Sequence, residues 1–257
     1  MVTTLSDIGS GPPDPNPPTP AATVVCLRDG AGGLEVLLLR RRAKGAFGGF
    51  WVFPGGKVDP GDVRAGDADE LAAARRAAVR EAAEEAAVVL DESAPVPLSW
   101  WMPPHEAARR FATWFFLAAA PSGGSDPVVL SEAEVGEHRW ITPAEALAAG
   151  GRGELALAPP TWMTLWWVGR HAAVADALAA AAARPPERFT TRAAAAADGT
   201  LTGTVWEGDV AYDDLDFDPE RPGPRRRLLA GPDGWQVVVD VDGPPATPGP
   251  ALEPPAA

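Results

Sequence analysis

Three glutamates, Glu81, Glu84 and Glu85, lie close together in the segment "REAAEEAAVVL", which otherwise consists mostly of alanine. Positions i, i+3 and i+4 of an α-helix share one face, so the three carboxylates would project together. Like charges at this spacing destabilise an isolated helix by roughly 0.2–0.5 kcal/mol per pair, so a counter-ion is expected nearby. Arg80 is one candidate, and a divalent cation is another, because Mg²⁺ and Mn²⁺ favour carboxylate oxygens. A solvated helix face would have the same pattern, so these residues alone leave both interpretations open.

A helix and a strand must position these glutamates. From Asp67 to about Ala87 the chain is dominated by Ala, Glu, Arg and Leu, which are strong helix formers. Upstream, "GGFWVFPGG" is typical of a short strand that ends in the pair Gly55 and Gly56. Backbone can approach a ligand closely at glycine, which favours the cation site over the solvated face. Residues 58–67, rich in Gly, Asp and Pro, are predicted to form an exposed, mobile loop outside the catalytic geometry.

The rest of the chain mixes strands and helices without strict βαβ alternation. "ATVVCLRD" and "LEVLLLRR" predict a hairpin, and "RRFATWFFLAAAP" predicts a strand. "EHRWITPAEALAAG" predicts a strand followed by a helix that Thr142 caps. The proline-bounded segment "PPTWMTLWWVGRHAAVADALAAAAARPP" predicts one long helix with its tryptophans in the core. "TGTVWEGDVAY" and "GWQVVVDVD" predict strands of a C-terminal extension, and arginines 225–227 a solvated loop. This mixture indicates an α/β fold with helices on both faces of a mixed sheet.

The length and composition limit the organisation of the chain. Its 257 residues, 46% of them hydrophobic, suffice for one well-buried domain with extensions. We predict disorder in residues 1–20 and 243–257, a main domain in residues 21–185, and an extension in residues 186–242 packed on it. The single cysteine, Cys26, excludes an internal disulfide, and the three histidines show no zinc spacing.

The charge and hydropathy pattern excludes several classes of partner. A formal net charge of -13 argues against general binding to nucleic acid or to an anionic membrane. No apolar run approaches the ~20 residues that a membrane-spanning helix needs. The first residues lack the basic and apolar regions of a secretory signal, so a cytoplasmic location is expected. An acidic protein that handles a polyanionic substrate needs local positive charge, and a bound metal ion would supply it.

The glutamate segment and the glycine pair together resemble the Nudix box of the Nudix hydrolases. The match to the second half of that box is carried, in order, by Arg80, Glu81, Ala82, Glu84, Glu85 and Val88. "WVFPGG" and "HRWITPAEAL" also resemble the flanking segments of the family, and the resemblance covers roughly residues 21–183. It implies a Nudix-type α/β/α sandwich with a mixed sheet, here with a C-terminal helix and a β-rich extension. It also implies hydrolysis of a nucleoside diphosphate linked to another group, X.

The resemblance assigns roles to residues of the box. It implies that Glu81, Glu84 and Glu85 bind Mg²⁺ or Mn²⁺ together with the backbone carbonyl of Gly56. Arg80 would orient a glutamate through a bidentate pair. Among the catalytic candidates, Glu84 and Glu85 could also supply the general base.

Other members of the family take the general base from a distant loop, which makes Glu134 and Glu137 further catalytic candidates. For substrate, the basic cluster beside the glycine-rich segment supplies Arg40, Arg42 and Lys44 as phosphate clamps. A solvated strand edge explains the same cluster equally well, since alternation along a strand would turn only some of these side chains inward.

The sequence departs from the usual box in three places. The loop between Gly56 and Arg80 is longer, the glutamate of the first half is displaced, with Glu70 or Asp62 as substitutes, and Ala87 replaces a glycine. Boxes with such an insert resemble a branch related to the peroxisomal coenzyme A diphosphatases, which makes coenzyme A or acyl-coenzyme A the favoured substrate. The alternatives are an ADP-ribose or nucleotide-sugar pyrophosphatase, or a non-catalytic binding or regulatory module. The sequence leaves a homodimer open.

Overall fold

The computed structural model of the protein describes residues 17–42, 47–107, 109–121 and 135–240. The strands of these residues are β1 (Thr19–Gly30), β2 (Gly33–Arg41), β3 (Trp51–Val52), β4 (Gly55–Lys57), β5 (Val96–Met102), β6 (Phe111–Ala119), β7 (Val135–Ile141), β8 (Glu187–Ala195), β9 (Leu201–Trp206), β10 (Arg225–Gly231) and β11 (Gly234–Asp240). The helices are α1 (Glu70–Ala86), α2 (Pro143–Gly151), α3 (Pro159–Val168) and α4 (Val174–Ala182), with a short 3-10 turn at Pro60–Asp62.

The strands form one mixed sheet in the order β11-β10-β9-β8-β5-β6-β1-β2-β3, with β4 beside β1 and β7 beside β2. Strands β1 and β6 are parallel, as are β5 and β8, and the other pairs are antiparallel. The parallel β5–β8 pairing joins the C-terminal strands to the sheet, so the extension continues it edge to edge.

Alternation along β1 sends successive side chains to opposite faces of the sheet. Val24 and Cys26 pack with the buried alanines of α1 on one face. Val25 and Leu27 pack on the other face, in the core that contains residues of α2, α3 and α4. The predicted α/β/α sandwich with helices on both faces is confirmed.

Several predicted elements are confirmed, and others are corrected. The hairpin of β1 and β2, strand β6, and the capped helix α2 are present, although β1 begins at Thr19, before the predicted start of the domain. The glycine-rich stretch forms two short strands, β3 and β4, and not one. Strands β5, β8 and β10 were not among the predicted elements. Among the described residues, no helix has the length and apolar character that crossing a membrane requires.

The predicted long C-terminal helix is wrong, because the chain forms α3 and α4 with a break between them. Gly169 ends α3 at a close approach, where an added Cβ would lie 3.1 Å from the Cβ of Pro143. The backbone N–H of Val174 then donates to the carboxylate of Asp29, at 3.0 Å, instead of to a preceding turn. A contact from a distant strand therefore starts the second helix, which no local pattern could predict.

The helix that carries the glutamates ends at Ala87 in the left-handed conformation, with φ of 53°. The N–H of Ala87 donates to the carbonyl of Ala83, and the N–H of Val88 donates to that of Ala82, each at 3.1 Å. A glycine usually forms this kind of helix end. The replacement of glycine by alanine therefore raises the free energy of the left-handed conformation but leaves the geometry of the turn unchanged.

We expect Ala87→Gly to stabilise the protein by about 1 kcal/mol, because a Cβ is unfavourable in the left-handed region. Chemical unfolding of parent and variant measures the difference. Ala83→Gly is the matched control, since Ala83 is exposed in the last turns of α1. It should destabilise by roughly 0.5–1 kcal/mol. If both variants change the free energy of unfolding equally and in the same direction, the left-handed conformation of Ala87 does not explain the effect.

Candidate active site

Helix α1 lies flat on the sheet because its inward face is made of alanines, which allow close approach. The inward residues are Ala73, Ala74, Ala77, Ala78, Ala82 and Ala86. The Asp69 carboxylate caps the helix by accepting from the N–H of Leu71 at 3.0 Å. At the other end Glu81 and Glu85 approach the glycines of β4, and the three glutamates differ in exposure. The side chains of Glu85, Glu81 and Glu84 are 5%, 14% and 57% exposed, respectively.

Glu85 is the glutamate most deeply set in the protein. Its carboxylate accepts a hydrogen bond from the backbone N–H of Gly55 at 2.9 Å. The guanidinium of Arg41, at the end of β2, lies 3.6 Å from the other carboxylate oxygen. A backbone donor and a guanidinium therefore hold this buried carboxylate beside the glycine pair.

The glycine pair is required by two close approaches. An added Cβ at Gly56 would lie 2.2 Å from the Oε1 of Glu81, and one at Gly55 would lie 2.5 Å from the carbonyl oxygen of Ala22. The hydroxyl of Thr23 donates to the carbonyl of Pro54 at 2.6 Å and so holds the turn before the pair. Gly55 therefore lets β4 pass close to β1, and Gly56 leaves room for the carboxylate of Glu81.

Arg80 connects the loop to the glutamates. Its Nε and Nη2 donate to the two carboxylate oxygens of Asp62 at 3.2 and 2.9 Å, and Nη2 also donates to the carbonyl of Lys57. Its Nη1 donates to Glu81 at 2.9 Å and to Glu84 at 3.1 Å. Asp62 is therefore the bidentate partner of Arg80, whereas the resemblance implied a glutamate. Glu81 and Glu84 each accept one hydrogen bond from Arg80.

Asp62 takes the position near Arg80 that the displaced glutamate left open. The other candidate, Glu70, instead accepts from the indole N–H of Trp114 at 3.2 Å, at the far end of α1. Asp62 is only 6% exposed, and Arg76 donates to its backbone carbonyl at 2.6 Å. The prediction that residues 58–67 form an exposed loop is therefore wrong at Asp62, although residues 63–66 are exposed.

Burial acts to raise the pKa of Asp62, but the hydrogen bonds from the Arg80 side chain and the Asp59 backbone N–H hold it below its ordinary value. The same pairing with Asp62 raises the pKa of Arg80, although burial acts against it. A carboxyl with a lowered folded-state pKa contributes stability above its unfolded pKa of about 3.9. That contribution is lost as the pH falls through the folded-state value.

We therefore expect Asp62→Asn to lose less stability than the parent when the pH is lowered from about 6 to about 3. Urea unfolding at both pH values measures the difference between the two slopes. Asp59→Asn is the control, because Asp59 is 61% exposed and lies 3.6 Å from Arg80. Its acid sensitivity should match that of the parent. If the acid sensitivity of Asp62→Asn also matches that of the parent, the pairing of Asp62 with Arg80 does not cause the loss of stability at low pH.

The glutamates form one side of an open cleft of about 1160 Å³. Its basic lining residues are Arg41, Arg42, Lys57, Arg80 and Arg109, and Thr191, Leu201 and Thr204 line it from the C-terminal strands. Pro159, Pro160 and Thr161 of α3 add a further wall. The cleft therefore combines a charged end at α1 with walls from distant parts of the chain.

The structure brings together some of the predicted site residues and separates others. The cleft is lined by Gly56, Arg42, Arg80, Glu81, Glu84 and Glu85, but Arg40 and Glu137 are not among its lining residues. Arg40 pairs across β2 and β7 with Glu137 at 3.5 Å, because alternation turns it away from the face of Arg41. Arg40 and Glu137 are therefore not brought together with the box glutamates in this cleft. Lys44 and Glu134 lie outside the described residues.

Sequence reasoning missed Arg41 and Arg109. Arg41 belongs to the basic cluster that was considered, and the period of two on β2 could have separated it from Arg40. Arg109, at the end of the β5–β6 connection, carried no local signal, because the connection reaches the cleft only through the pairing of these strands.

The donor set at α1 suits a hard divalent cation, since it consists of carboxylate oxygens next to a backbone carbonyl at a glycine. In the part of the chain that the structure describes, no three acidic or histidine side chains converge as a metal site. Glu81 and Glu84 both accept from Nη1 of Arg80 instead. The residue types fit Mg²⁺ or Mn²⁺.

Comparison with known proteins identifies the class that this fold and site define. A family model described as "NUDIX domain" matches residues 17–159, more than half of the chain. The chain belongs to the NUDIX family, and it is a hydrolase of the kind that acts on diphosphate bonds. No curated protein matched the chain.

Among solved structures, the chain is similar to a NUDIX hydrolase from Alicyclobacillus acidocaldarius, with 26% identity and a TM-score of 0.57 over 65% of this chain and 97% of the other. It is also similar to the NUDIX domain of Shewanella oneidensis NrtR complexed with ADP ribose, at 21% identity and TM-score 0.45 over 60% and 89% of the two chains. A C. elegans Ap4A hydrolase matches at 25% identity and TM-score 0.41 over 58% and 93%.

Proposed function

We propose that the protein is a Mg²⁺- or Mn²⁺-dependent hydrolase that cleaves the diphosphate of a nucleoside diphosphate conjugate, with coenzyme A or acyl-coenzyme A as the favoured class. The observation that carries the proposal is that Glu81, Glu84 and Glu85 lie at one end of a cleft that arginines also line. The cleft volume of about 1160 Å³ exceeds the roughly 300–1,000 Å³ of ordinary ligand pockets, which suits a large conjugate.

In this proposal, Glu81, Glu84 and Glu85 with the carbonyl of Gly56 hold the ion. When bound, it supplies charge neutralisation of the diphosphate and a lower pKa for a coordinated water. Arg80 and Asp62 hold the helix and the loop in register, so that the carboxylates stay in place during the reaction. The backbone N–H of Gly55 holds the carboxylate of Glu85 in place through a hydrogen bond.

Glu84 is the candidate for the general base. Its side chain is 57% exposed in the cleft, whereas Glu85 is 5% exposed and held by a backbone donor. A base must reach the attacking water and then release the proton to solvent, which favours the exposed carboxylate. Glu137 is disfavoured, because its carboxylate pairs with Arg139 at 3.0 Å and with Arg40.

Arg41, Arg42 and Arg109 are the candidates for phosphate clamps. They line the same cleft as the glutamates, and a guanidinium binds two phosphate oxygens at once. Arg42 retains its predicted role here, and Arg41 and Arg109 replace Arg40. The finer assignment to coenzyme A is supported by the long inserted loop and by "APPTWMTL", part of which lines the cleft.

The test is hydrolysis by the full chain, with Mg²⁺ or Mn²⁺, of a panel containing coenzyme A, an acyl-coenzyme A, ADP-ribose, a nucleotide sugar and dATP. Product analysis shows which bond is broken, and Glu85→Gln prepared in parallel excludes a contaminating phosphatase. We expect coenzyme A species to be turned over with the highest kcat/KM. Preference for ADP-ribose or a nucleotide sugar would favour the alternative substrate class. Absence of turnover on all members would favour a non-catalytic module.

A further inference from the structure

The end of the cleft that the C-terminal strands form lies three to four strands away from β1, against which α1 packs. Thr191 lies on β8, and Leu201 and Thr204 lie on β9. These strands reach the cleft because β8 pairs in parallel with β5, with Trp101 opposite Phe189. Residues outside the matched NUDIX segment, 17–159, therefore line the same cleft as the box glutamates.

The floor of this end is a braced aromatic cluster. Trp101 lines the cleft and stacks on Phe189, with ring centroids 4.0 Å apart and an interplanar angle of 8°. Trp206 of β9 meets Trp101 edge to face at 5.6 Å, and Phe115 lies 6.1 Å from it. The indole N–H of Trp101 donates to the hydroxyl of Ser99 at 2.9 Å, which fixes the ring. Two members of this packed cluster, Trp101 and Phe115, line the cleft, so its floor is apolar.

Thr204 carries a buried hydroxyl whose hydrogen-bonding capacity is unused. The residue is 2% exposed, and its Oγ1 has no hydrogen-bond partner among the described residues. The neighbouring hydroxyl of Thr191 differs, since it accepts from the indole N–H of Trp206 at 3.1 Å. A buried hydroxyl without a partner costs free energy, because it has lost its bonds to water. A valine has nearly the same shape and would avoid that cost, so the hydroxyl calls for an explanation.

The charge of this end also differs from that of the rest of the cleft. Thr191, Leu201 and Thr204, the lining residues that β8 and β9 contribute, are all uncharged. The basic lining residues are found on β2, β4, α1 and the β5–β6 connection instead. The two arginines of β8, Arg188 and Arg192, are not among the lining residues, so a second phosphate would meet no cationic side chain from these two strands in the cleft. An uncharged group with a hydrogen-bonding atom would match them.

We propose that β8 and β9 form a subsite for the uncharged group X of the conjugate, and that the hydroxyl of Thr204 makes the hydrogen bond that recognises it. This inference rests on the proposed function, since it names the part of the substrate that the C-terminal strands bind. The chemistry fits a sugar hydroxyl or an amide of a pantetheine arm, both of which can pair with a threonine hydroxyl. A site built around such a bond discriminates against ligands that leave its polar group unpaired.

The experiment compares the parent with Thr204→Val, Thr204→Ser and Thr202→Val in the full chain. Thr202 is the matched control, because it is exposed on the same strand and does not line the cleft. Binding is measured by calorimetry with the non-hydrolysable α,β-methylene analogues of ADP-ribose and of ADP, which differ only in X. KM and kcat are measured with ADP-ribose and with coenzyme A, which separates a sugar from a pantetheine arm. Calorimetry needs no turnover, so a failure of hydrolysis leaves the test of the subsite intact.

We expect Thr204→Val to weaken binding of the conjugate about three- to tenfold, as loss of one buried hydrogen bond predicts. Binding of the ADP analogue should stay within twofold, and kcat should change less than KM. Thr204→Ser should restore the affinity, and Thr202→Val should leave it unchanged. The thermal midpoint of Thr204→Val should equal or exceed that of the parent, since an unpaired buried hydroxyl is removed. Equal losses for the ADP analogue and the conjugates, or no loss for any conjugate, would overturn the inference.

Discussion

Glu85→Gln should lower kcat/KM by about 10³, which corresponds to ~4 kcal/mol of transition-state stabilisation. Glu85 is the least exposed of the three box glutamates and the one with a backbone donor fixing its position. Glutamine keeps the shape of the side chain and its helix compatibility but loses the negative charge that a divalent cation requires. Steady-state rates at saturating Mg²⁺ measure the loss, and a rate within threefold of the parent would remove Glu85 from the site.

The stability of the same variant distinguishes two physical effects. Relief of repulsion among the carboxylates would stabilise the metal-free protein. However, the carboxylate of Glu85 accepts from Gly55 at 2.9 Å and lies 3.6 Å from Arg41, and the charge strengthens both contacts. We therefore expect a net loss of about 1–3 kcal/mol. Glu137→Gln is the control, since it removes a paired acid that does not line the cleft, and it should keep activity within threefold.

Asp209→Asn should produce the largest loss of stability, about 3–5 kcal/mol. The carboxylate of Asp209 is fully buried and pairs with Arg227, whose Nε donates to it at 2.8 Å. It also accepts from the backbone N–H groups of Arg226, at 2.6 Å, and Ala211, at 2.7 Å. Asparagine would present an NH₂ group to this set of donors and leave the guanidinium of Arg227 buried without its counter-charge.

The measurement is chemical unfolding of the full chain, followed by near-ultraviolet circular dichroism of the tryptophans. Asp213→Asn is the matched control, since Asp213 is exposed near the same turn and should change stability by less than about 0.5 kcal/mol. Because β9 also carries residues of the cleft, Asp209→Asn should raise KM for the conjugate as well. A loss below about 1 kcal/mol would show that the buried pair is replaceable.

The buried pair also corrects the prediction that arginines 225–227 form a solvated loop. These residues begin β10, and Arg225 and Arg227 are each 2% exposed. Arg225 donates to the carbonyl of Gly223 at 3.0 Å, and Arg226 to the carboxylate of Glu187 at 2.6 Å. Three consecutive arginines are typical of surface, and the burial of Arg227 is tolerable because Asp209, a partner distant in sequence, pairs with it.

The pairing of Asp62 with Arg80 could not be predicted from local sequence patterns. The spacing of Glu81, Glu84 and Glu85 predicted a shared helix face, and the glycine pair predicted a close approach; both follow from backbone geometry over a few residues. The choice between Asp62 and Glu70 as the partner of Arg80 depended on how the inserted loop folds back onto α1. The path of the loop depends on hydrogen bonds from both Arg76 and Arg80 to Asp62. No rule based on residue spacing predicts these two contacts together.

The sequence by itself determined the α/β class, helix α1 with its shared glutamate face, the hairpin of β1 and β2, and the resemblance to the Nudix box. These features depend on side-chain periods and turn residues, which act within one element. The tertiary structure decided that Arg41 and not Arg40 lines the cleft, that α3 and α4 are separate, and that β8 and β9 wall the far end of the cleft. Each of these features depends on a pairing between parts of the chain that are far apart in sequence, such as β5 with β8 or Val174 with Asp29. The free energy of such a pairing cannot be predicted from a local sequence pattern.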